Sequence, residues 1–253
     1  MPHIEKLSSP LNVSIDARWF DLNEEHHFWM RARFEEVQCV LPSNLEGKQM
    51  LEIGCGNGVF RSQMEQFSGA PIDGCDLNLR ALEMAREGLG RLILYNILER
   101  NPELVGRYDL VFLMDVVEHI EDDAKFLEAA LAHLKPGGTL ILNVPFGPSL
   151  YSVYDKLIGH YRRYTKRQLL KVFSQLEADV IGLRCWGLML VPLAVVRKML
   201  LPLLDDDKKQ IELGFRVPSR AMNRVFTWLL KLERQFAPLR FIGASVILVA
   251  TKR

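Results

Sequence analysis

Residues Leu51–Gly58 read LEIGCGNG, an apolar run that stops in a turn holding Gly54, Gly56 and Gly58. Glycine lets the backbone approach a ligand closely, and a following helix offers its free N–H groups at the same point. Working outward, the runs Gln49–Ile53, Pro71–Leu77, Arg91–Ile97, Tyr108–Asp115 and Thr139–Val144 are each close to continuously apolar. Helical stretches lie between them: Val59–Phe67, Leu79–Glu87 behind a cap at Asn78, and Asp122–Leu134, with a short turn near Pro102. Runs that are apolar on both faces and alternate with helices predict a parallel sheet covered on each side. A helix over Lys166–Glu177 and strands over Ala178–Cys185 and Ala244–Thr251 complete the pattern. The fold class is α/β: a doubly wound, mostly parallel, seven-stranded sheet.

The chain divides accordingly. Residues 1–46 hold a tail and a helix, EEHHFWMRARFEEVQCVL, that opens after Leu22-Asn23 and stops before Pro42. Residues 47–185 carry the ligand-binding core. Residues 186–243 fit no βαβ unit and read as a helical insertion before the last strand, 244–253. Of the 253 residues, 49% are hydrophobic and 25% charged, as in an ordinary globular protein. A net charge of +1 gives no global pull toward nucleic acid. Cys39, Cys55, Cys75 and Cys185 form no CxxC pair, which argues against a zinc site or disulfide framework. The first thirty residues contain no signal-peptide core, so a cytoplasmic location is expected.

In a doubly wound sheet, ligands bind above the carboxyl ends of the strands near the first βα turn. Asp76 ends the second strand about twenty residues beyond that turn, where a carboxylate can accept both hydroxyls of a ribose. The glycine spacing does not match the dinucleotide fingerprint, whose third glycine would fall at Val59. The stretches LEIGCGNG, GCDLN, YDLVFLMDVVEHI and LKPGGTLILNVP stand in an order and spacing similar to the motif series of class I S-adenosylmethionine-dependent methyltransferases. They resemble especially the small-molecule branch that includes ubiquinone-biosynthesis-type O-methyltransferases, over about residues 48–185. The resemblance implies a Rossmann-like fold with S-adenosyl-L-methionine as cofactor. It also implies that Glu52, Gly54, Cys55, Gly56 and Gly58 form the cradle at the methionine end, while Asp76 takes the ribose and Leu77 packs on adenine. Asn96-Ile97 matches the position of an acid that accepts from the adenine amino group; asparagine accepts there through its amide oxygen. Met114-Asp115 then lies beneath the methionine moiety, facing the acceptor. No NPPY or DPPY ends the fourth strand, which speaks against amino-group methylation of adenine or glutamine.

Methyl transfer is a displacement at a sulfonium carbon, so alignment supplies much of the catalysis. An oxygen acceptor also needs a base, typically worth about 10²–10⁴ in rate. His119 and His160 are the candidates; for His119 the alternative is shaping the helix start. Glu118 and His119 are adjacent and point different ways, and no third group sits at ligand spacing beside them, so no metal is expected. The run GHYRRYTKRQL (159–169) resembles a motif found in a subset of these enzymes. Arg162 and Arg163 could grip a carboxylate or phosphate, and Tyr164 could stack or donate. The alternative is a cap tying the loop to the body, and adjacent arginines in an extended loop point apart. His26, His27 and Trp29 match a family pattern that forms a lid.

Within the insertion, WGLMLVPLAVVRKMLLPLL is strongly apolar but too short to span a bilayer, which needs about 20 residues. In Ser219–Ala237, Met222, Val225, Phe226, Leu229, Leu232 and Phe236 share one helical face, and Arg220, Arg224, Lys231 and Arg234 the opposite one. Such a helix can lie at a membrane surface, close over a pocket or form a homodimer interface. The expected function is methyl transfer to a small or amphiphilic acceptor, lipid-linked if the insertion covers a tail, most readily at oxygen. Nucleic acid is not an expected partner. Two other readings remain beside it: a NAD(P)-dependent oxidoreductase on a similar sheet, and a non-catalytic binding domain retaining the fold.

Overall fold

The apolar runs pair side by side in a computed structural model that describes residues 2–11, 26–203, 206, 219–235 and 241–253. The strands are β1 (Ile4–Lys6), β2 (Met50–Ile53), β3 (Ile72–Asp76), β4 (Leu92–Leu94), β5 (Tyr108–Met114), β6 (Leu134–Pro145), β7 (Ala178–Trp186) and β8 (Ser245–Lys252). They form one sheet in the order β1-β4-β3-β2-β5-β6-β8-β7. Neighbours run parallel except at β8, which is antiparallel to both β6 and β7. From β2 the chain builds outward through β3 and β4, then returns to lay β5 on the other side. That reversal opens a crevice above the carboxyl ends of β2 and β5.

Successive side chains of the central strands point to opposite faces, so both faces must be apolar. Leu51, Ile53, Val111 and Leu113 join the core on one side; Met50, Leu110 and Phe112 join the core on the other. All are 3% exposed or less. The helices are α1 (Phe28–Gln38), α2 (Val59–Ser68), α3 (Leu79–Glu83), α4 (Asp123–Ala132), α5 (Val153–Leu157), α6 (Lys166–Phe173), α7 (Val191–Leu200) and α8 (Arg220–Gln235). Asn78, Asp122 and Thr165 accept backbone N–H groups at the starts of α3, α4 and α6, as N-caps do.

Two details differ from the sequence reading. Residues 4–6 are not merely a tail: they add an eighth strand, pairing in parallel with β4. Three residues carry no readable period, so only the neighbouring sheet edge reveals it. The first helix begins at Phe28, with His27 as its cap and His27 Nδ1 accepting from Trp29 N at 3.2 Å. The Leu22-Asn23 start lies outside the described residues.

β7 and β8 are antiparallel neighbours, and the insertion leaves and re-enters the sheet at one point. Ala244 N donates to Trp186 O at 2.9 Å. Gly243 is pressed against the same carbonyl, where a Cβ would stand 2.2 Å from Trp186 O. α8 docks on α1 through Phe226, whose ring lies 4.8 Å from that of Phe28, and through Asn223, whose Oδ1 accepts from Phe28 N at 2.8 Å. Arg234 does not belong to a free basic face: it pairs with Glu35 and Glu36 of α1. The helical wheel could not show those acids. Phe236 lies outside the described residues.

Candidate active site

The crevice continues into a cavity of about 810 Å³, roofed by α1 and by α7 and α8 of the insertion. That size lies within the range of about 300–1,000 Å³ usual for ligand pockets. Its inner end is built by the turn after β2 and by the ends of β3, β4 and β5. Gly54 and Gly56 line it with φ of 74° and 53°, a region that costs other residues strain. Gly56 N donates to one oxygen of Asp76 and Asn78 N to the other, each at 2.8 Å. A carboxylate has about four acceptor positions, so two on Asp76 stay open toward the cavity.

Glu52 is 2% exposed, and its Oε2 has no hydrogen-bond partner among the described residues. Burial raises its pKa to about 8, against the opposing charges of Arg33 and Arg61. Arg33 enters from α1; it donates to Asp115 Oδ2 at 2.8 Å, while its buried Nε has no partner among the described residues. Asp115 stands at φ 62°, unusual outside glycine, with its other oxygen 2.5 Å from Asn143 Nδ2. Trp186 Nε1 donates in turn to Asn143 Oδ1 at 2.8 Å. Cys55, Leu77, Asn96, Ile97 and Met114 also line the wall. Burial pushes the Cys55 thiol up, so it is a packing group rather than a nucleophile. Asn96 Oδ1 already accepts from Leu98 N at 3.1 Å, capping the turn after β4. Gly58 begins α2 with φ 75° and stands behind the wall rather than in it.

Toward the outer end the cavity passes Glu118, His119 and His160. The two imidazoles meet edge to face with centroids 4.6 Å apart, and Glu118 Oε1 lies 3.8 Å from His160 Nε2. Burial, with His160 alongside, lowers the His119 pKa to about 3 and keeps its ring neutral. Burial, and next the Asp115 charge, raises Glu118 well above the carboxylate range. Asp155 fixes His160 from behind, its Oδ1 3.1 Å from His160 Nδ1. Arg163 Nε donates to the same oxygen at 2.8 Å, and Ser152 donates through N and Oγ to the other, each at 2.9 Å. Burial alone would raise Asp155, but the His160 hydrogen bond and the Arg163 charge outweigh it and hold the carboxyl well below its usual range.

The loop residues expected to act together are split. Arg163 is 7% exposed and lines the cavity. Arg162 points away, donating to Asp123 Oδ2 at 2.9 Å and Glu121 O at 2.7 Å. Tyr164 is buried outside the cavity and donates to Asp123 Oδ2 at 2.8 Å. The reasoning against a metal also changes. Glu118, His119 and His160 offer ligand atoms all within 4.8 Å of one another, because the fold delivers His160 from a distant loop. Two imidazoles and a carboxylate are a donor set suited to a divalent cation.

Arg33, Asp155 and Arg197 line the cavity but were not singled out as site residues from sequence. Arg33 had a signal: it shares the buried face of α1 with Met30 and Val37, where a charge needs a purpose. Asp155, on the one-turn α5, had none.

A family model described as "Methyltransferase domain" matches residues 24–181. A ubiquinone biosynthesis O-methyltransferase from Bordetella avium is 35% identical over 134 residues, 49% of this chain and 55% of that protein. The chain thus spans little more than half the length of that relative. The enzyme of the same description from Vibrio parahaemolyticus is 32% identical over 188 residues, 66% of this chain and 80% of that one. Among solved structures, a SAM-dependent methyltransferase from Archaeoglobus fulgidus superposes with a TM-score of 0.60 at 17% identity, covering 94% of this chain and all of that one. Phosphoethanolamine N-methyltransferase 2 of Haemonchus contortus, in complex with S-adenosyl-L-methionine, gives 0.55 at 18%, covering 88% and 52%. At such identities the structural likeness speaks to the fold alone.

Proposed function

We propose, from the premise that this chain belongs to the S-adenosylmethionine-dependent methyltransferases, that it methylates an oxygen of an amphiphilic acceptor. The observation that carries this reading is a cavity with orphaned buried polar groups at one end and a histidine pair at the other. The inner end fits the cofactor. Asp76 has two open acceptor positions for ribose hydroxyls, Glu52 Oε2 is a partnerless acceptor for the ammonium, and Arg33 Nε a partnerless donor for the carboxylate. Leu77 and Ile97 are placed to pack on the adenine, with Asn96 beside them. When bound, the cofactor supplies an activated methyl group on a sulfonium. The protein's own contribution is alignment, exclusion of water and removal of the acceptor proton.

For that proton, His119 and His160 stand between the cofactor end and the outer cavity. A neutral imidazole is the form that accepts a proton, and burial keeps His119 neutral at physiological pH. Asp155 holds the His160 ring so that Nε2 faces Glu118 and the cavity. The relatives named as O-methyltransferases agree with an oxygen acceptor.

The outer cavity is walled by Leu193, Val196, Leu200 and Ile158, which suits an apolar tail. We assign residues 47–185 to cofactor binding and 186–243 to covering the acceptor. The insertion also exposes Met199, Leu203, Trp228, Phe241 and Ile242, each at least 54% accessible. None of the described helices is long and apolar enough to cross a membrane. These side chains support peripheral contact with a lipid surface, with a dimer interface as the competing use.

The test is to incubate the protein with methyl-labelled cofactor and total lipid extract. Label should enter an ether-type product in the organic phase and disappear with His119→Gln and His160→Gln. Label found on nitrogen, or unaffected by both replacements, overturns the oxygen reading. For the insertion, equal partitioning onto anionic liposomes of the full chain and a folded, cofactor-binding variant lacking 187–241 leaves it as a lid or subunit contact.

A further inference from the structure

The outer wall of the cavity carries charge that methyl transfer to a neutral acceptor does not require. α7 reads VPLAVVRKML, and its two cations part company. Lys198 reaches outward and donates to Ser149 O at 2.7 Å. Arg197 turns inward among Leu193, Val196 and Leu200, with its guanidinium carbon 4.3 Å from the centre of the Tyr154 ring and its Nε shielded from solvent. An arginine on a half-exposed apolar helix ordinarily extends its head to water. Here it faces the same cavity as Arg163, and the two repel. Burial pulls Arg197 below its usual pKa, and the Arg163 charge adds to that, against the opposing pull of Tyr154 and Asp155.

The carboxylate on this wall is already committed. Asp155 takes His160 and Arg163 on one oxygen and both Ser152 donors on the other, which fills its acceptor positions. Glu118 is kept protonated by burial. Two guanidiniums therefore share one carboxylate at the end of the cavity away from Asp76. Side by side, they make the fork geometry that recognises an oxyanion.

We propose that Arg163 and Arg197 form a subsite for a carboxylate or phosphate group carried by the acceptor. This rests on reading the cavity as the site of methyl transfer, and it adds the charge class of the acceptor. The pair is made across the fold, between the loop before α6 and the insertion, rather than between the sequence neighbours Arg162 and Arg163. Arg197 thereby makes the insertion a determinant of specificity as well as a cover.

The experiment reads binding without turnover. The full chain is saturated with S-adenosylhomocysteine, itself measured first, and titrated calorimetrically with octanoate, octyl phosphate and octanamide. At least one anion should bind about tenfold or more tightly than the neutral amide, as expected for charge-assisted hydrogen bonds. Which anion gains more tells carboxylate from phosphate. Arg197→Met should abolish the difference with S-adenosylhomocysteine affinity unchanged, and Arg197→Lys should keep part of it. If Arg197→Met does not fold, Arg197→Gln is read in the same way. Equal affinity for all three probes in the wild type, or a preference that survives loss of the Arg197 charge, overturns the subsite. If S-adenosylhomocysteine itself does not bind, the reading of the cavity fails, and that result is seen before any probe is added.

Discussion

The two ends of the cavity are made in different ways. Much of the inner end comes from one short stretch, Glu52 to Gly56, with Asp76 closing onto Gly56 from the adjacent strand through a 2.8 Å hydrogen bond. The outer end is gathered from Glu118-His119, from Asp155 to Arg163, and from Leu193 to Leu201 of the insertion. Parallel neighbours place the first set almost automatically once the strands pair. The second depends on where loops and an insertion come to rest. Local construction suits a ligand whose shape never varies, and assembly from distant segments suits one that changes from enzyme to enzyme.

If this division is right, damage to the inner end should act on cofactor affinity and damage to the outer end on turnover. The largest effect is expected at Asp76. Asp76→Ala removes the acceptor of two hydrogen bonds to the ligand, each worth roughly 1.5–3 kcal/mol, and S-adenosylhomocysteine affinity should fall at least about a hundredfold by calorimetry. Unchanged affinity would place the cofactor elsewhere. At the outer end, His160→Gln should cut turnover by about a hundredfold. Its S-adenosylhomocysteine dissociation constant should stay within about twofold of wild type. Equal losses in both quantities would mean that the ends are not separable.

The lid shared by both ends offers a smaller, pH-dependent effect. Burial lowers His27 from 6.5 to about 4. The unfolded chain therefore takes up this proton first as the pH falls, and stability present above about pH 6.5 is lost progressively toward pH 4. Between pH 7 and 5 the loss is on the order of 1–2 kcal/mol, readable by chemical denaturation, and His27→Asn, which keeps a capping side chain, should flatten it. The same slope in the variant would assign it to another group. The smallest change is expected at Arg162, half of the arginine pair in the loop. Its contacts are to Asp123 and the Glu121 carbonyl at a partly exposed site, so Arg162→Ala should cost about 1 kcal/mol or less and leave turnover intact. A large loss of turnover in folded protein would return Arg162 to the acceptor site.

The same division explains what could be read beforehand. The parallel sheet, the glycine turn and Asp76 are legible because apolar runs, turn residues and strand ends are local signals. The splitting of Arg162 from Arg163 followed from side-chain alternation in extended chain. The grouping of His160 with Glu118 and His119 was not legible, because adjacency along the chain was the test applied and the fold satisfies it from far away. Arg234 was placed on a solvent face because a helical wheel knows nothing of Glu35 and Glu36 on the neighbouring helix. β1 escaped notice because three residues have too short a period to announce a strand.

The closure at Trp186 and Gly243 has a bearing on how such a protein could change its substrate. A segment whose two ends meet within one hydrogen bond puts little strain on the sheet that carries it, and the entropy of closing such a loop grows only logarithmically with its length. The insertion can then lengthen, shrink or be exchanged while β7 and β8 keep their register. One condition travels with any exchange: position 243 must remain glycine, since even a methyl group would strike the Trp186 carbonyl at 2.2 Å. The covering segment is in effect a cartridge with a fixed socket, and libraries that vary its interior while holding that socket should recover new acceptors on an unaltered cofactor site.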